Sequence, residues 1–347
     1  MPDPLTPPEP EYAALCRASA KIGADPMLIQ AAGGNTSIKD GNVMWIKASG
    51  TLLADALDKD VFVAVDLPDM RRAVAGGEGR ADQPAEFALV QGGLRPSIET
   101  SLHAVFGQKV VMHAHCVHTL AHAVRKDCKA LMQAPLDGLN WGIVDYVKPG
   151  ANLARLVSAV AKGLVNVVVL QNHGIIVAGD TVEETHALMM DVHERLRIDP
   201  SAPVAPDLTA LASLTEGSGY TLPDYALLHQ LALDPARLKQ ATGGSLYPDH
   251  VIFCGIGATA LQDGETPDQA AAKLVNAGAP APAFLIVPGK GVVVRRDSTE
   301  ANHALIRCLV DVLLRVPADA DLNYLSDAQN FELLNWDAEK YRSRLNG

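Results

Sequence analysis

No run of eighteen or more apolar residues occurs anywhere in the chain, so no transmembrane helix is expected. Basic charge is scarce: 29 Lys and Arg stand against 40 Asp and Glu, for a net charge of -11. Without a basic stripe to neutralise phosphates along a backbone, a nucleic-acid partner is not expected. The opening residues Met1-Pro2-Asp3-Pro4-Leu5-Thr6-Pro7-Pro8 lack both a basic n-region and an apolar h-region. They read as a loose arm over residues 1–8 and not as a secretory signal. Cysteine is sparse and unpaired in spacing, at positions 16, 116, 128, 254 and 308, a pattern that fits reduced thiols and a cytoplasmic location. There is no internal repeat, no low-complexity tract and no His-Glu-x-x-His helix. Gly255-Ile256-Gly257 and Pro288-Gly289-Lys290-Gly291 match neither a dinucleotide fingerprint nor a P-loop, and read as turns.

What is present is ordinary globular composition, 48% apolar and 20% charged, with a length that suits two domains. Tyr12, Leu15, Ser19 and Ile22 recur at helical spacing, and Gly23 with Pro26 stops that helix. Asp40-Gly41 between Thr36–Lys39 and Asn42–Lys47 signals a hairpin with a two-residue turn. Ser97 reads as the N-cap of a helix carrying Leu102 and Phe106 on its apolar stripe and closed by Gly107. That helix runs directly into a β-prone segment starting at Lys109, and Val165 to Leu170 is a second apolar strand. Thr181 opens a further helix with a capping box to Glu184 and a buried stripe of Val182, Met189, Val192 and Leu196. Residues 199–206, rich in Pro, Ala and Ser, read as a linker. Beyond it, Tyr225 to Leu233 reads as a helix, Val251 to Cys254 as a strand, Pro282 to Arg295 as a hairpin, and Ser298-Thr299-Glu300 as the start of a helix reaching Leu314. The expectation is an α/β protein with a domain over 9–200 and a smaller α/β domain over 207–347.

The chemistry is concentrated in Met112-His113-Ala114-His115 and in Asn172-His173-Gly174. On a strand, alternate side chains share a face, so His113 and His115 point the same way, about 6 to 7 Å apart along the strand. An isolated His-x-His is more often a pair of half-buried core histidines. Here His173 also falls at a strand end, and three neutral imidazoles with an open fourth position describe a catalytic zinc site. Glu99, at the start of the helix feeding the His113 strand, is otherwise read as a carboxylate favoured by the helix macrodipole.

In order and spacing, Gly33-Gly34-Asn35-Thr36-Ser37, Ala48-Ser49-Gly50, Pro96-Ser97-Ile98-Glu99, His113-Ala114-His115 and Asn172-His173-Gly174 resemble the class II aldolase/adducin family over about residues 10 to 198. Its members include L-fuculose- and L-rhamnulose-phosphate aldolases, L-ribulose-phosphate 4-epimerases, sugar-acid phosphate decarboxylases and the non-catalytic adducin head. The C-terminal part resembles, less closely, the segment after the aldolase region in bifunctional rhamnulose-phosphate aldolase/dehydrogenase proteins, although it shows no dehydrogenase pattern. The resemblance implies a three-layer α/β/α domain with a largely antiparallel central sheet and a homo-oligomer, with a tetramer favoured. It also implies a metal held by His113, His115 and His173, with zinc the first choice and manganese or cobalt as alternatives. Glu99 becomes the proton shuttle of a lyase acting on a ketose phosphate or related sugar acid through a metal-stabilised enediolate.

The substrate's anion is then expected at Gly34, Asn35, Ser49, Gly50 and Ser97, where backbone N–H groups approach closely. Ile98 stands where phosphate-binding relatives have a second serine, so the anion is a phosphate or a carboxylate. Lys47 either points at that anion or is a solvated surface lysine. His103 and His118 are read as supporting residues, and His122, His186 and His193 as structural ones. Tyr146, Tyr324 and Trp141 are candidates for the second acid. The alternatives are a decarboxylase or an epimerase on the same site, an adducin-like binding module, and a metal hydrolase using bound water.

Overall fold

The computed structural model describes residues 6–334. Residues 1–5 of the expected N-terminal arm and residues 335–347 lie outside the described residues. Among the described residues two compact units partition the chain, the first comprising residues 6–123 and 128–197, the second residues 124–127 and 198–334.

The first unit is built on a seven-stranded sheet of β1 (Asn35–Asp40), β2 (Val43–Lys47), β3 (Phe62–Asp66), β4 (Val110–Ala114), β5 (Trp141–Val144), β6 (Val167–Leu170) and β7 (Gly174–Gly179). Their spatial order is β3-β2-β1-β4-β7-β6-β5. Only the β5–β6 pair is parallel, so the sheet is largely antiparallel, as expected. Its helices are α1 (Glu11–Gly23), α2 (Leu67–Gly76), α3 (Thr100–Ala104), α4 (Val117–Ala123), α5 (Cys128–Gln133), α6 (Ala151–Val160) and α7 (Val182–Arg195).

Alternation along the strands splits the core into two apolar layers. Ile38, Trp45, Met112, Val169 and Val177 pack on one face with Leu15 and Ile22 of α1 and Met189 and Val192 of α7. On the opposite face, Met44 and Ile46 pack with Met70 of α2, and Val111, Val168 and Ile176 pack with Leu102 of α3 and Leu153 and Val157 of α6. Both faces of the sheet are therefore covered, giving three layers.

Local chemistry explains most element ends. Asp66 caps α2 by accepting from Asp69 N, and Thr181 caps α7 by accepting from Glu184 N. The hairpin turn lies one residue later than the sequence reading: Asp40 pairs with Val43, and Gly41 takes the left-handed φ of 54° that the turn needs. A larger correction concerns α3, which runs only from Thr100 to Ala104. Ser97 is not its N-cap; Ser97 Oγ accepts from Glu99 N at 3.2 Å and Ser97 O from Thr100 N at 3.0 Å, forming a turn ahead of the helix.

The second unit carries a four-stranded sheet in the order β8-β11-β10-β9, with β8 (Tyr220–Thr221), β9 (Thr259–Ala260), β10 (Phe284–Val287) and β11 (Gly291–Arg295). The β10–β11 hairpin and the helix Glu300–Leu313, with its Thr299–Asn302 capping box, fall where the sequence places them. Val251 to Cys254 does not form the expected strand; it ends the helix Pro248–Cys254. Pro248 in the first turn presets helical φ, and Val251 and Cys254, three apart, are buried. No helix among the described residues is long and apolar enough to cross a membrane.

Candidate metal centre and anion cradle

The site gathers at one end of the first unit's sheet, where β1, β4 and β7 are neighbours. Asn35 on β1 pairs with His113 on β4, and His113 pairs with Ile176 on β7. His115 lies one residue beyond β4, and His173 one residue before β7. The three imidazoles are buried, and one ligand atom from each lies within 4.8 Å of the others. His113 and His115 do share a face, with ring centroids 4.9 Å apart, and the His173 ring lies 4.9 Å from that of His113.

Tautomers follow from the partners. His113 Nδ1 sits 2.9 Å from Ile175 O, an atom that only accepts, so Nδ1 carries the proton and Nε2 presents its lone pair. That Nε2 lies 3.1 Å from Nε2 of His115, an arrangement of converging imidazole nitrogens that fits a shared cation. Burial pushes the His113 imidazolium down to about 3, so the ring is neutral, as a ligand must be. Donor set, burial and tautomer therefore suit a nitrogen-liking divalent metal with open positions.

The backbone beside the imidazoles is packed for close approach. A Cβ on Gly174 would stand 2.4 Å from Ala114 O and 3.2 Å from His113 Cε1. Asn172, which precedes His173, adopts a left-handed φ of 55°, a conformation that Asn tolerates better than other side chains. Its N–H donates to Ala123 O, and His173 N–H donates to Leu170 O, which fixes the turn that aims the His173 ring.

Glu99 is the acid of the cluster. Its Oε1 lies 3.5 Å from His113 Nε2 and 3.2 Å from His173 Nε2, while its Oε2 accepts from Asn35 Nδ2 at 2.5 Å. Burial alone would push the carboxyl up, but the surrounding imidazoles of His113, His173 and His115 outweigh it and hold Glu99 well below the usual carboxylate range. His103, one turn on, shares a hydrogen bond with Ser37 Oγ at 2.8 Å, and burial pushes its imidazolium down to about 3.

The loops named for the anion also come together. Ala48 bridges to Pro96, Ser49 N donates to Arg95 O at 2.8 Å, and Ser97 N donates to Lys47 O at 3.1 Å. Ser49, Gly50 and Ser97 therefore share one corner of the fold. Lys47 is not a surface lysine: it is 2% exposed, and its Nζ donates to Ala32 O at 2.9 Å, tying in the Gly33-Gly34 loop. Gly34 has φ +63° and leaves no room for a side chain, since a Cβ would meet Ile29 Cδ1 at 2.2 Å and His113 O at 2.9 Å. Asn35, grouped with this cradle by the family resemblance, turns its amide to Glu99.

Other candidates lie elsewhere. His118 stacks with His193 at 4.8 Å, His193 Nδ1 meets Cys116 Sγ at 3.2 Å, and His122 Nε2 donates to Leu196 O. Trp141 is on β5. Tyr146 follows β5, close to where Gln171 N donates to Val144 O ahead of the His173 turn. Tyr324 belongs to the second unit, where its hydroxyl donates to Gln240 O at 2.9 Å. Sequence reasoning missed Lys39, which is buried on β1 and donates to Phe106 O and Gln108 O behind α3; its charged head gave no periodic signal of burial.

A family model described as the Class II Aldolase and Adducin N-terminal domain matches residues 13–199. The chain is 30% identical over 180 residues to the uncharacterized oxidoreductase YuxG of Bacillus subtilis, a match covering 47% of this chain but only 25% of that relative, so it spans about a quarter of that protein. It is 20% identical over 181 residues to an L-fuculose phosphate aldolase of Methanocaldococcus jannaschii, covering 50% of this chain and 87% of the relative. Among solved structures, the N-terminal class II aldolase domain of a conserved Thermoplasma acidophilum protein aligns with 27% identity and a TM-score of 0.49, over 55% of this chain and 94% of that one.

Proposed function

The chain belongs to the class II aldolase and adducin family, whose model covers more than half of it, and from that premise we propose that it is a metal-dependent carbon–carbon lyase acting on an anionic ketose. The observation that carries this reading is the buried Glu99 carboxyl within 3.2 to 3.5 Å of two of three clustered imidazoles. A structural acid has little reason to be there; a proton carrier beside a cation does.

His113, His115 and His173 would hold the metal through ring nitrogens, His113 through Nε2. When bound, a divalent cation supplies Lewis acidity toward adjacent substrate oxygens. The chain's own residues do the rest. Backbone N–H groups around Gly34, Ser49 and Gly50, with Ser97 and the Lys47 ammonium behind them, hold the anionic end. The carbon–carbon bond breaks with its electron pair staying on the ketone half, and the departing half leaves as an aldehyde after its hydroxyl loses a proton. Glu99 takes that hydroxyl proton and delivers it to the carbon that keeps the pair. Burial keeps bulk water from competing for it. Ile98, which offers no hydroxyl donor beside Ser97, favours a second reading in which the anion is a carboxylate and the leaving group is carbon dioxide.

Metal analysis of purified wild type and His113→Ala is the first test. About one zinc, manganese or cobalt per chain is expected in wild type, with loss in the variant; no metal after reconstitution overturns the lyase reading in favour of an adducin-like binding module. Glu99→Gln keeps its metal and loses turnover in a panel of ketose phosphates and oxo sugar acids scored for aldehyde and for carbon dioxide. Wild-type turnover in that variant removes Glu99 from the mechanism.

A further inference from the structure

Two hydrogen-bonded rungs join β1 to the start of α3. Asn35 Nδ2 donates to Glu99 Oε2 at 2.5 Å, and two residues along, Ser37 Oγ shares a hydrogen bond with His103 Nδ1 at 2.8 Å. The spacing fits because two strand residues advance about 6.6 Å and four helical residues about 6 Å. Positions i and i+2 of the strand therefore meet positions i and i+4 of the helix. Asn35 also lies directly opposite His113, which puts both side chains on the α3 face.

The orientation of the Asn35 amide is dictated by its partner. The amide nitrogen Nδ2, the donor of the pair, is the atom that faces Glu99 and bonds its Oε2. Oδ1 is then left buried with no hydrogen-bond partner, which is unfavourable for a desolvated acceptor. Attachment of α3 does not require that cost, since the Ser37–His103 rung already ties the two elements. What Asn35 adds is a choice between the two oxygens of Glu99. With Oε2 taken, Oε1 is the atom left beside His113 and His173, and it has no hydrogen-bond partner of its own.

We propose that Asn35 is a positioning residue for Glu99, locking the carboxylate so that Oε1 is the oxygen presented among the three imidazoles. This rests on the reading of Glu99 as proton carrier. It separates Asn35 from Gly34, Ser49, Gly50 and Ser97, the positions with which the family resemblance groups it.

The test compares Asn35→Ala, Asn35→Asp and Ser37→Ala with wild type. One readout is proton–deuterium exchange at carbon in dihydroxyacetone phosphate, the ketone half of a cleaved ketose 1-phosphate, followed by NMR with zinc-loaded protein. The other is a crystal structure of wild type and of each Asn35 variant. Asn35→Asp keeps shape but replaces the donor with a second acceptor, and stands in if Asn35→Ala does not fold. Saturated exchange is expected to fall about 100-fold in both Asn35 variants with KM within about threefold, while Ser37→Ala stays within about threefold of wild type throughout. The crystal structures should show the Glu99 carboxylate turned away in both Asn35 variants. An unmoved Glu99, or unchanged exchange in Asn35→Asp, overturns the proposal; a rise in KM alone also overturns it and returns Asn35 to the anion cradle. Absence of exchange in wild type counts against the lyase reading instead, and the crystal comparison still decides whether Asn35 positions Glu99.

Discussion

Replacing Gly174 with alanine loads the seam between β4 and β7 at the point where it carries His113, His115 and His173. The added Cβ would stand 2.4 Å from Ala114 O, whereas real Cβ contacts essentially never fall below 3.0 Å. The strands must part by at least about 0.6 Å, a strain of the overpacking kind that costs about 1–3 kcal/mol. Side-chain rotation cannot relieve it, because the obstructing atom is backbone. Ala114 lies between His113 and His115, so its carbonyl cannot move without both histidines. The His113 ring is pressed as well, with Cε1 3.2 Å from the new atom. Zinc affinity is therefore expected to fall at least tenfold, which corresponds to about 1.4 kcal/mol. Urea denaturation should show a lower midpoint at unchanged m, and a chelator competition titration should show weaker zinc binding. Gly107→Ala is the control, since a Cβ there meets nothing within 4 Å. If Gly174→Ala matches that control in both assays, the packing argument is wrong.

His250 is fully buried with neither ring nitrogen hydrogen-bonded, and burial pushes its imidazolium from 6.5 down to about 4. The unfolded chain therefore takes up this proton first: its contribution is fully present above pH 6.5 and is lost as pH falls toward 4, by about 3 kcal/mol in all. His250→Phe should flatten that part of the urea-midpoint profile, and an unaltered profile would sink the assignment. Asn172→Gly should keep stability within about 0.5 kcal/mol and retain zinc, whereas Asn172→Val, forced into a left-handed conformation, should lose about 1–3 kcal/mol and bind zinc more weakly; equal behaviour of the two would show that φ at this turn does not matter.

Local rules act over a few residues, and what they govern was legible in the sequence. The shared face of His113 and His115 follows from the two-residue period of a strand. The start of α7 follows from the Thr181 hydroxyl, that of the Glu300 helix from Thr299, and the β10–β11 hairpin from its Gly-rich turn. The family resemblance named the histidines and Glu99 by spacing alone. Local rules also misled where packing competed: Val251-Ile252-Phe253 is β-prone, yet Pro248 and burial at three-residue spacing made it helical. Ser97 is a good capping residue, yet its carbonyl and hydroxyl formed a turn, and α3 began later.

Tertiary structure alone decided how the site is assembled. Asn35, Glu99, His113 and His173 are separated by up to 138 positions in the sequence, and they meet because β1, β4 and β7 are neighbours in the sheet, an order that sequence periodicity does not encode. It decided that Lys47 is buried against the Ala32 carbonyl and not solvated, and that the Asn35 amide faces Glu99. A side chain's partner depends on which strand lies beside it and in what register, and that register is fixed only when both faces of the sheet are packed.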